Sequence, residues 1–205
     1  LKVVFLPNYR VSLAERIIPG TNLSEQISTA GTEASGTSNM KFMLNGALTI
    51  GTLDGANVEM LEEVGDENIF IFGLKTQEVF QMKERGYNPQ DFIYKNEELH
   101  RVLLMIRENY FSLGEPGIFL PIYDSLFYSD NYLLMADFDS YDKTQDLVAK
   151  EYLDETTWTK KSILNVARSG KFSTDRTIRE YAKEIWNVPT LDTILPKTLY
   201  NLPQN

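Results

Sequence analysis

Between Glu33 and Lys41 the sequence reads Glu-Ala-Ser-Gly-Thr-Ser-Asn-Met-Lys. Small side chains let successive backbone N–H groups converge on one point, and a helix opening just after them adds the positive end of its dipole. Such a loop holds an anion without needing a formal charge. Lys41 follows Thr37 by four residues, and helical side chains lean toward the N-terminus, so its amine lies over the same first turn, beside a bound phosphate. A lysine so placed serves either as a point charge for phosphate or as a Schiff-base amine for a carbonyl cofactor. The competing reading is a flexible surface loop over Gly31–Asn39 with a solvated helical lysine, and composition alone does not separate the two. Glu33, the only acidic group of the loop, is either a solvated carboxylate or an acceptor for ligand hydroxyls held beside the phosphate. Gly31-x-x-x-x-Gly36 has the glycine spacing of a nucleotide P-loop. Thr37, however, stands where that motif needs its lysine, so nucleotide hydrolysis is not expected.

Other polar residues carry weaker signals. Tyr9-Arg10 follows the first apolar run, at the strand end where ligands bind in open α/β sheets. Asp54-Gly-Ala-Asn57 reads as a turn with a helix N-cap. His100, among Glu97, Glu98 and Arg101, falls on a solvated helix face. The acidic run Asp137–Asp142 lacks the glycine and glutamate spacing of a calcium loop and reads as charged surface. Trp158, Trp186 and the tyrosines read as core and helix-packing residues.

The elements that position these residues follow from periodicity. Leu1–Leu6 is a short apolar run closed by Pro7-Asn8 and reads as a buried strand. Ser12-Leu-Ala-Glu15 offers a capping box for a short helix that Pro19-Gly20 ends. Ser24–Ser28 reads as a further helical turn. Met40–Gly46 suits a short buried helix, Leu48–Ile50 a strand, Asn57–Val64 a helix stopped by Gly65, and Ile69–Phe72 a strand buried on both faces. Strand and helix alternate over the first 75 residues, the rhythm of a doubly wound, Rossmann-like α/β unit with a parallel sheet.

Beyond Lys75 the pattern is mostly helical. Amphipathic stretches cover Thr76–Gly86, Glu97–Phe111, Tyr152–Ser169 and Asp175–Trp186. Met135–Phe138 reads as one more strand, and Asn187–Asn205, with three prolines, as a surface tail.

Composition narrows the classes. The 205 residues carry a net charge of −9, against the clustered cations that a nucleic-acid binder uses on phosphates. Cysteine is absent, which excludes disulfides, thiolate metal sites and cysteine nucleophiles. With a single histidine, multi-histidine metal sites are impossible. No apolar stretch approaches the ~20 residues of a membrane span, and the opening residues turn polar too quickly for a signal peptide. The expectation is a cytoplasmic globular segment with no nucleic-acid or membrane partner.

Two longer stretches carry a resemblance. Glu33-Ala-Ser-Gly-Thr-Ser-Asn-Met-Lys-Phe and Asn45-Gly-Ala-Leu-Thr-Ile-Gly-Thr-Leu-Asp-Gly-Ala-Asn-Val-Glu59 closely resemble the pyridoxal-phosphate segment of the α-glucan (glycogen and starch) phosphorylases. The likeness extends over Val3–Glu15, Leu23–Thr32, Ile69–Leu74, Arg85-Gly-Tyr87 and Ser169–Ile178, and ends near Glu184-Ile-Trp186. It implies that Lys41 binds pyridoxal phosphate as a Schiff base. The amides of Thr37 and Ser38 would hold the cofactor's phosphate. Glu33 and the amides of Ala34, Ser35 and Gly36 would bond glucosyl hydroxyls, and Tyr9 and Arg10 would lie beside the cofactor. Several animal members have glycine where this chain has Ser38, a change that an amide contact survives.

The implied reaction is reversible, retaining phosphorolysis of terminal α-1,4-glucosyl units by inorganic phosphate, giving α-glucose 1-phosphate. Lys41 would anchor rather than react, because the cofactor's phosphate exchanges a proton with the substrate phosphate. The implied fold is two Rossmann-like domains facing across a cleft, the glycosyltransferase-B arrangement, in a homodimeric enzyme. This sequence resembles only the last part of the C-terminal domain, with a cofactor-binding core over 1–74 and a helical region over 75–205. Basic residues completing the phosphate sites, the regulatory sites and the opening strands of the sheet belong to earlier segments in the family. The segment alone is therefore expected to be inactive and to leave a sheet edge exposed. Two other readings stay open: a related glycosyltransferase-type domain that binds sugar phosphate without pyridoxal phosphate, and a non-enzymatic binding fragment.

Overall fold

The computed structural model describes residues 2–189, of which 2–169 form one compact unit and the described residues from 170 onward belong to a second. The sheet of the first unit has three parallel strands in sequence order: β1 (Leu23–Gln26), β2 (Leu48–Thr52) and β3 (Phe70–Phe72). Leu23 pairs with Leu48, and Ile50 with Phe70. Every residue of β2 is buried, as expected of a central strand covered on both faces.

Helices α1 (Val11–Ile17), α2 (Ser38–Leu44) and α3 (Asn57–Val64) precede or connect the strands. On one sheet face Leu48, Ile50, Phe70 and Phe72 form a core with Val148 of α8 (Leu134–Tyr152) and Trp158 of α9 (Glu155–Ala167). Each large apolar side chain so buried contributes about 1.5–3 kcal/mol. On the opposite face Gly51 lets α3 approach: a methyl group there would lie 2.6 Å from Asn57 Nδ2 and 2.7 Å from the Gln26 carbonyl oxygen.

A second core is wholly helical. It joins Ile93 of α5 (Gln90–Ile93), Leu99 and Leu103 of α6 (Glu97–Arg107), Tyr123 of α7 (Leu120–Asp124), Phe127 and Met135. A third, smaller cluster sets Ala30 against Leu133 and against Val79 of α4 (Thr76–Glu84). Among the described residues all strands lie before Gly73, and the later elements are helical.

Several expectations are corrected. Residues 2–6 form no strand and are exposed, Val3 at 85% and Phe5 at 88%. An extended run is stable as a strand only when its backbone groups find a ladder partner, and none is available to it among the described residues. The first strand is instead Leu23–Gln26, where a helical turn was expected. Its Glu25 is exposed, and buried Ser24 is tolerated because its hydroxyl accepts from Gln26 Nε2 at 2.8 Å.

Helix α1 begins one residue before the predicted N-cap, with Arg10 in the cap position and no capping side chain. Met135–Phe138 belongs to α8, a 19-residue helix. In the second unit, α10 (Thr174–Glu180) continues into a π-helical turn at Tyr181–Ile185. Trp186 there is exposed, edge-to-face on Tyr181 at 5.8 Å, whereas Trp158 is buried as expected. The predicted tail lies outside the described residues beyond Pro189.

Candidate functional site

The chain leaves β2 at Thr52 and turns through Leu53–Ala56 into α3. Asp54 at this turn is buried and points back to the loop that follows β1. Its carboxylate accepts from the N–H groups of Gly31 (2.9 Å), Thr32 (3.3 Å) and Glu33 (2.9 Å), and from the Ser28 hydroxyl (3.0 Å). Burial by itself would raise the carboxyl's pKa. The N–H groups of Glu33 and Gly31, the Ser28 hydroxyl and the Gly55 N–H outweigh it and hold Asp54 below the usual carboxylate range. The turn is present as read, the Asn57 N–H donating to the Asp54 carbonyl at 3.1 Å, but among the described residues no side chain caps α3.

A second set of bonds fixes the end of the loop. Asn57 Nδ2 donates to the Thr52 carbonyl (3.0 Å), Asn39 Nδ2 to Asn57 Oδ1 (3.0 Å), and the Met40 N–H to Asn39 Oδ1 (2.9 Å). The Ala56 N–H donates to the Ser35 carbonyl at 2.5 Å. Gly55 makes that approach possible, because it has a φ of +52° and a methyl group there would lie 2.5 Å from the Ser35 oxygen. Upstream, Thr29 is tied to the Tyr132 carbonyl through its hydroxyl (2.7 Å). The loop is therefore braced at both ends by buried polar groups.

Between the braces the backbone is open. Among the described residues, the N–H groups of Ala34, Ser35, Gly36, Thr37 and Ser38 donate to no protein group. Gly36 has a φ of +86°, which a side chain would strain. Thr37 stands at the N-cap of α2, and its carbonyl accepts from the Lys41 N–H at 3.2 Å. Lys41 is exposed, and its ammonium has no ion pair or hydrogen bond among the described residues. Glu33 is exposed as well. The Ser38 hydroxyl reaches Gln26 Oε1 at 3.2 Å, leaving its amide free.

Glu33, Ala34, Ser35, Gly36, Thr37, Ser38 and Lys41 thus share one loop and the first turn of α2. Tyr9 and Arg10 do not join them through any hydrogen bond or ion pair among the described residues. Both are exposed, and the Arg10 carbonyl accepts from the Leu13 and Ala14 N–H groups at 2.9 Å. The P-loop alternative loses its first glycine amide, which is committed to Asp54.

Other polar residues depart from expectation. His100 is half-buried, not on a solvated face, and packs edge-to-face on Tyr94 at 5.6 Å. Asp137, read as surface, is buried beside the turn after β3, where its Oδ1 accepts from the Leu74 N–H at 2.7 Å. Asp130 is buried too, in left-handed backbone, and accepts from the N–H groups of Leu134 and Met135 and from the Tyr87 hydroxyl. Burial first, then the Asp130 carboxylate that its hydroxyl bonds, pushes Tyr87 well above the ordinary tyrosine range. No group of three or more His, Cys, Asp or Glu side chains that could hold a metal ion occurs among the described residues. No described helix is long and apolar enough to cross a membrane.

Comparison with known proteins adds to this geometry. Residues 1–188 match the family described as carbohydrate phosphorylase. The chain is 55% identical over 192 residues to the liver form of glycogen phosphorylase from Homo sapiens, covering 94% of this chain and 23% of that protein. It is 53% identical over 196 residues to the muscle form from Mus musculus, covering 96% and 23%. To the brain form from Mus musculus it is 52% identical over all 205 residues, 24% of that protein. The chain therefore spans about a quarter of the length of the curated relatives it matches.

Proposed function

Because this chain belongs to the carbohydrate phosphorylase family, we propose that it is the C-terminal segment of an α-glucan phosphorylase and carries the cofactor-binding part of the active site. The observation behind this reading is the division of labour in the loop. Asp54 engages the amides of Gly31–Glu33, while those of Ala34–Ser38 are left open one helical turn from the unpaired Lys41 amine. That donor set fits pyridoxal phosphate: amides for its phosphate and an amine for its aldehyde.

In this reading the Thr37 and Ser38 amides bind the cofactor's phosphate and Lys41 tethers the ring. When bound, the cofactor supplies a phosphate that exchanges a proton with inorganic phosphate as a terminal α-1,4-glucosyl bond is cleaved to α-glucose 1-phosphate. Glu33 accepts from glucosyl hydroxyls, and the amides of Ala34, Ser35 and Gly36 donate to them, orienting the sugar. Asp54 and Asn57 touch neither ligand; they hold the loop so that its donors need no reorganisation on binding. Tyr9 and Arg10 would reach the cofactor only once residues 2–10 are held against the site. The rest of the phosphorylase chain, in a two-domain, homodimeric and cytoplasmic enzyme, would supply the remaining phosphate contacts and strands beyond β1.

Titration with pyridoxal phosphate, followed by absorbance, tests the reading. Saturable uptake that disappears in Lys41→Ala supports it, whereas uptake unchanged by that substitution contradicts the tether and favours a sugar-phosphate domain without the cofactor. The chain alone is expected to release no glucose 1-phosphate from glucan and phosphate.

A further inference from the structure

A cleft of about 220 Å³ lies where α8 meets the ends of β1 and β3, lined by Ile27, Thr29, Phe72, Asp137, Phe138 and Tyr141 among others. Its surface is mainly apolar apart from one carboxylate. Asp137 is 7% exposed, and only its Oδ1 is engaged, by the Leu74 N–H at 2.7 Å. Among the described residues nothing donates to Oδ2, and no cationic side chain pairs with the group.

The remaining polar groups of the lining are already engaged. The Thr29 hydroxyl donates to the Tyr132 carbonyl at 2.7 Å and the Tyr141 hydroxyl to Glu25 at 3.1 Å. Gly73, with a φ of +81°, closes one side of the carboxylate so tightly that a methyl group there would lie 3.0 Å from it. The charges that act on Asp137 are those of Asp130 and Glu78, both acidic. Asp137 lies in the first turn of α8, whose dipole favours its charge; the remaining cost of burying a carboxylate with one oxygen unbonded is met either by a proton or by a cation placed on that oxygen.

We propose that this cleft binds a small organic ammonium ion, its apolar, preferably aromatic, body against Ile27, Phe72 and Phe138 and its N–H donors on Asp137 Oδ2. The apolar walls favour a hydrocarbon body over a hydrated metal ion, and the volume suits a single ring with a short arm. This site does not depend on the phosphorylase reading: it uses none of the residues assigned to pyridoxal phosphate or glucan.

The test uses the 205-residue chain at pH 7 with two probes of nearly one shape, benzylammonium and benzyl alcohol, titrated by NMR chemical shift. The charged probe is expected to bind saturably, at least about tenfold more tightly than the alcohol, because a charge-assisted hydrogen bond is lost in the neutral one. Asp137→Asn, with its fold checked by circular dichroism, should erase that preference. Ile27→Trp, which fills the cleft at an exposed position without touching the carboxylate, should weaken both probes. Equal affinity for the two probes in the unaltered chain overturns the proposal, as does a preference that survives Asp137→Asn or the absence of saturable binding. Should Asp137→Asn not fold, the probe comparison and Ile27→Trp decide.

Discussion

Asp54 and Asp137 occupy equivalent places, one just beyond β2 and the other against the turn beyond β3, and both are buried. Asp54 receives three N–H groups of the loop and a hydroxyl, and its carboxyl sits below the ordinary range. Asp137 receives one N–H, and burial, reinforced by Asp130 and Glu78, pushes it up. At Asp54 four donors outweigh burial, whereas at Asp137 the single donor is outweighed by burial and two like charges. The first carboxylate has its charge met by the fold's own donors and works as a structural anion. The second is left incomplete. The same logic applies to the loop itself: amides that already serve Asp54 are unavailable to a ligand, and only those beyond Glu33 remain.

Substitutions can break this contrast, and the largest effect is expected at Asp54. Asp54→Ala leaves several donors without their acceptor, and each buried unmet group costs about 1–3 kcal/mol. A loss of about 3 kcal/mol or more in urea unfolding, with faster amide exchange at Gly31–Glu33, is the expected result. Gly55→Ala comes next, at about 2 kcal/mol, from left-handed backbone and the collision with the Ser35 oxygen.

The pH dependence of stability should then separate the two acids. Asp54 is lowered on folding, so its contribution is fully present above the ordinary 3.8 and is lost as pH falls through its folded value. Asp137 is raised, so the folded state binds its proton more readily and stability falls as pH rises from 3.8 through the folded value. Asp54→Asn should flatten the acid limb of the profile. Asp137→Asn should be neutral or mildly stabilising at pH 7, within about 1 kcal/mol. Smallest is Ser38→Gly, which removes only an exposed bond to Gln26 and should change stability by less than about 0.5 kcal/mol while leaving uptake of pyridoxal phosphate intact.

Much of the central sheet was legible because its signals are local. Leu48–Ile50 and Ile69–Phe72 are apolar runs bounded by glycine, and Asn57–Val64 carries its own helical period and stop. β1 was illegible for the opposite reason: Leu-Ser-Glu-Gln reads as a helical turn and becomes a strand only through pairing with β2. Lys2–Leu6 shows the converse, strand-like residues with no ladder partner among the described residues. α8 was hidden because its acidic stretch mixes buried Asp137 with exposed Asp139 and Asp142, a distinction made by the packed β3 turn and not by spacing.

At the site, the small residues and the lysine announced a nest of amides. Their partition did not show in the sequence, since the acceptor for three of them, Asp54, lies 21 residues or more along the chain. A strand-end Asp-Gly turn downstream of a glycine-rich loop is the one signal that could have suggested it.

That partition is tested most directly by following backbone amide shifts in a ¹⁵N-labelled chain as pyridoxal phosphate is added. The expected result is that Gly36, Thr37 and Ser38 move most, with Lys41 close behind, while Gly31, Thr32 and Glu33 stay fixed on Asp54. Movement centred on Gly31–Glu33, or none at Gly36–Ser38, would contradict the account.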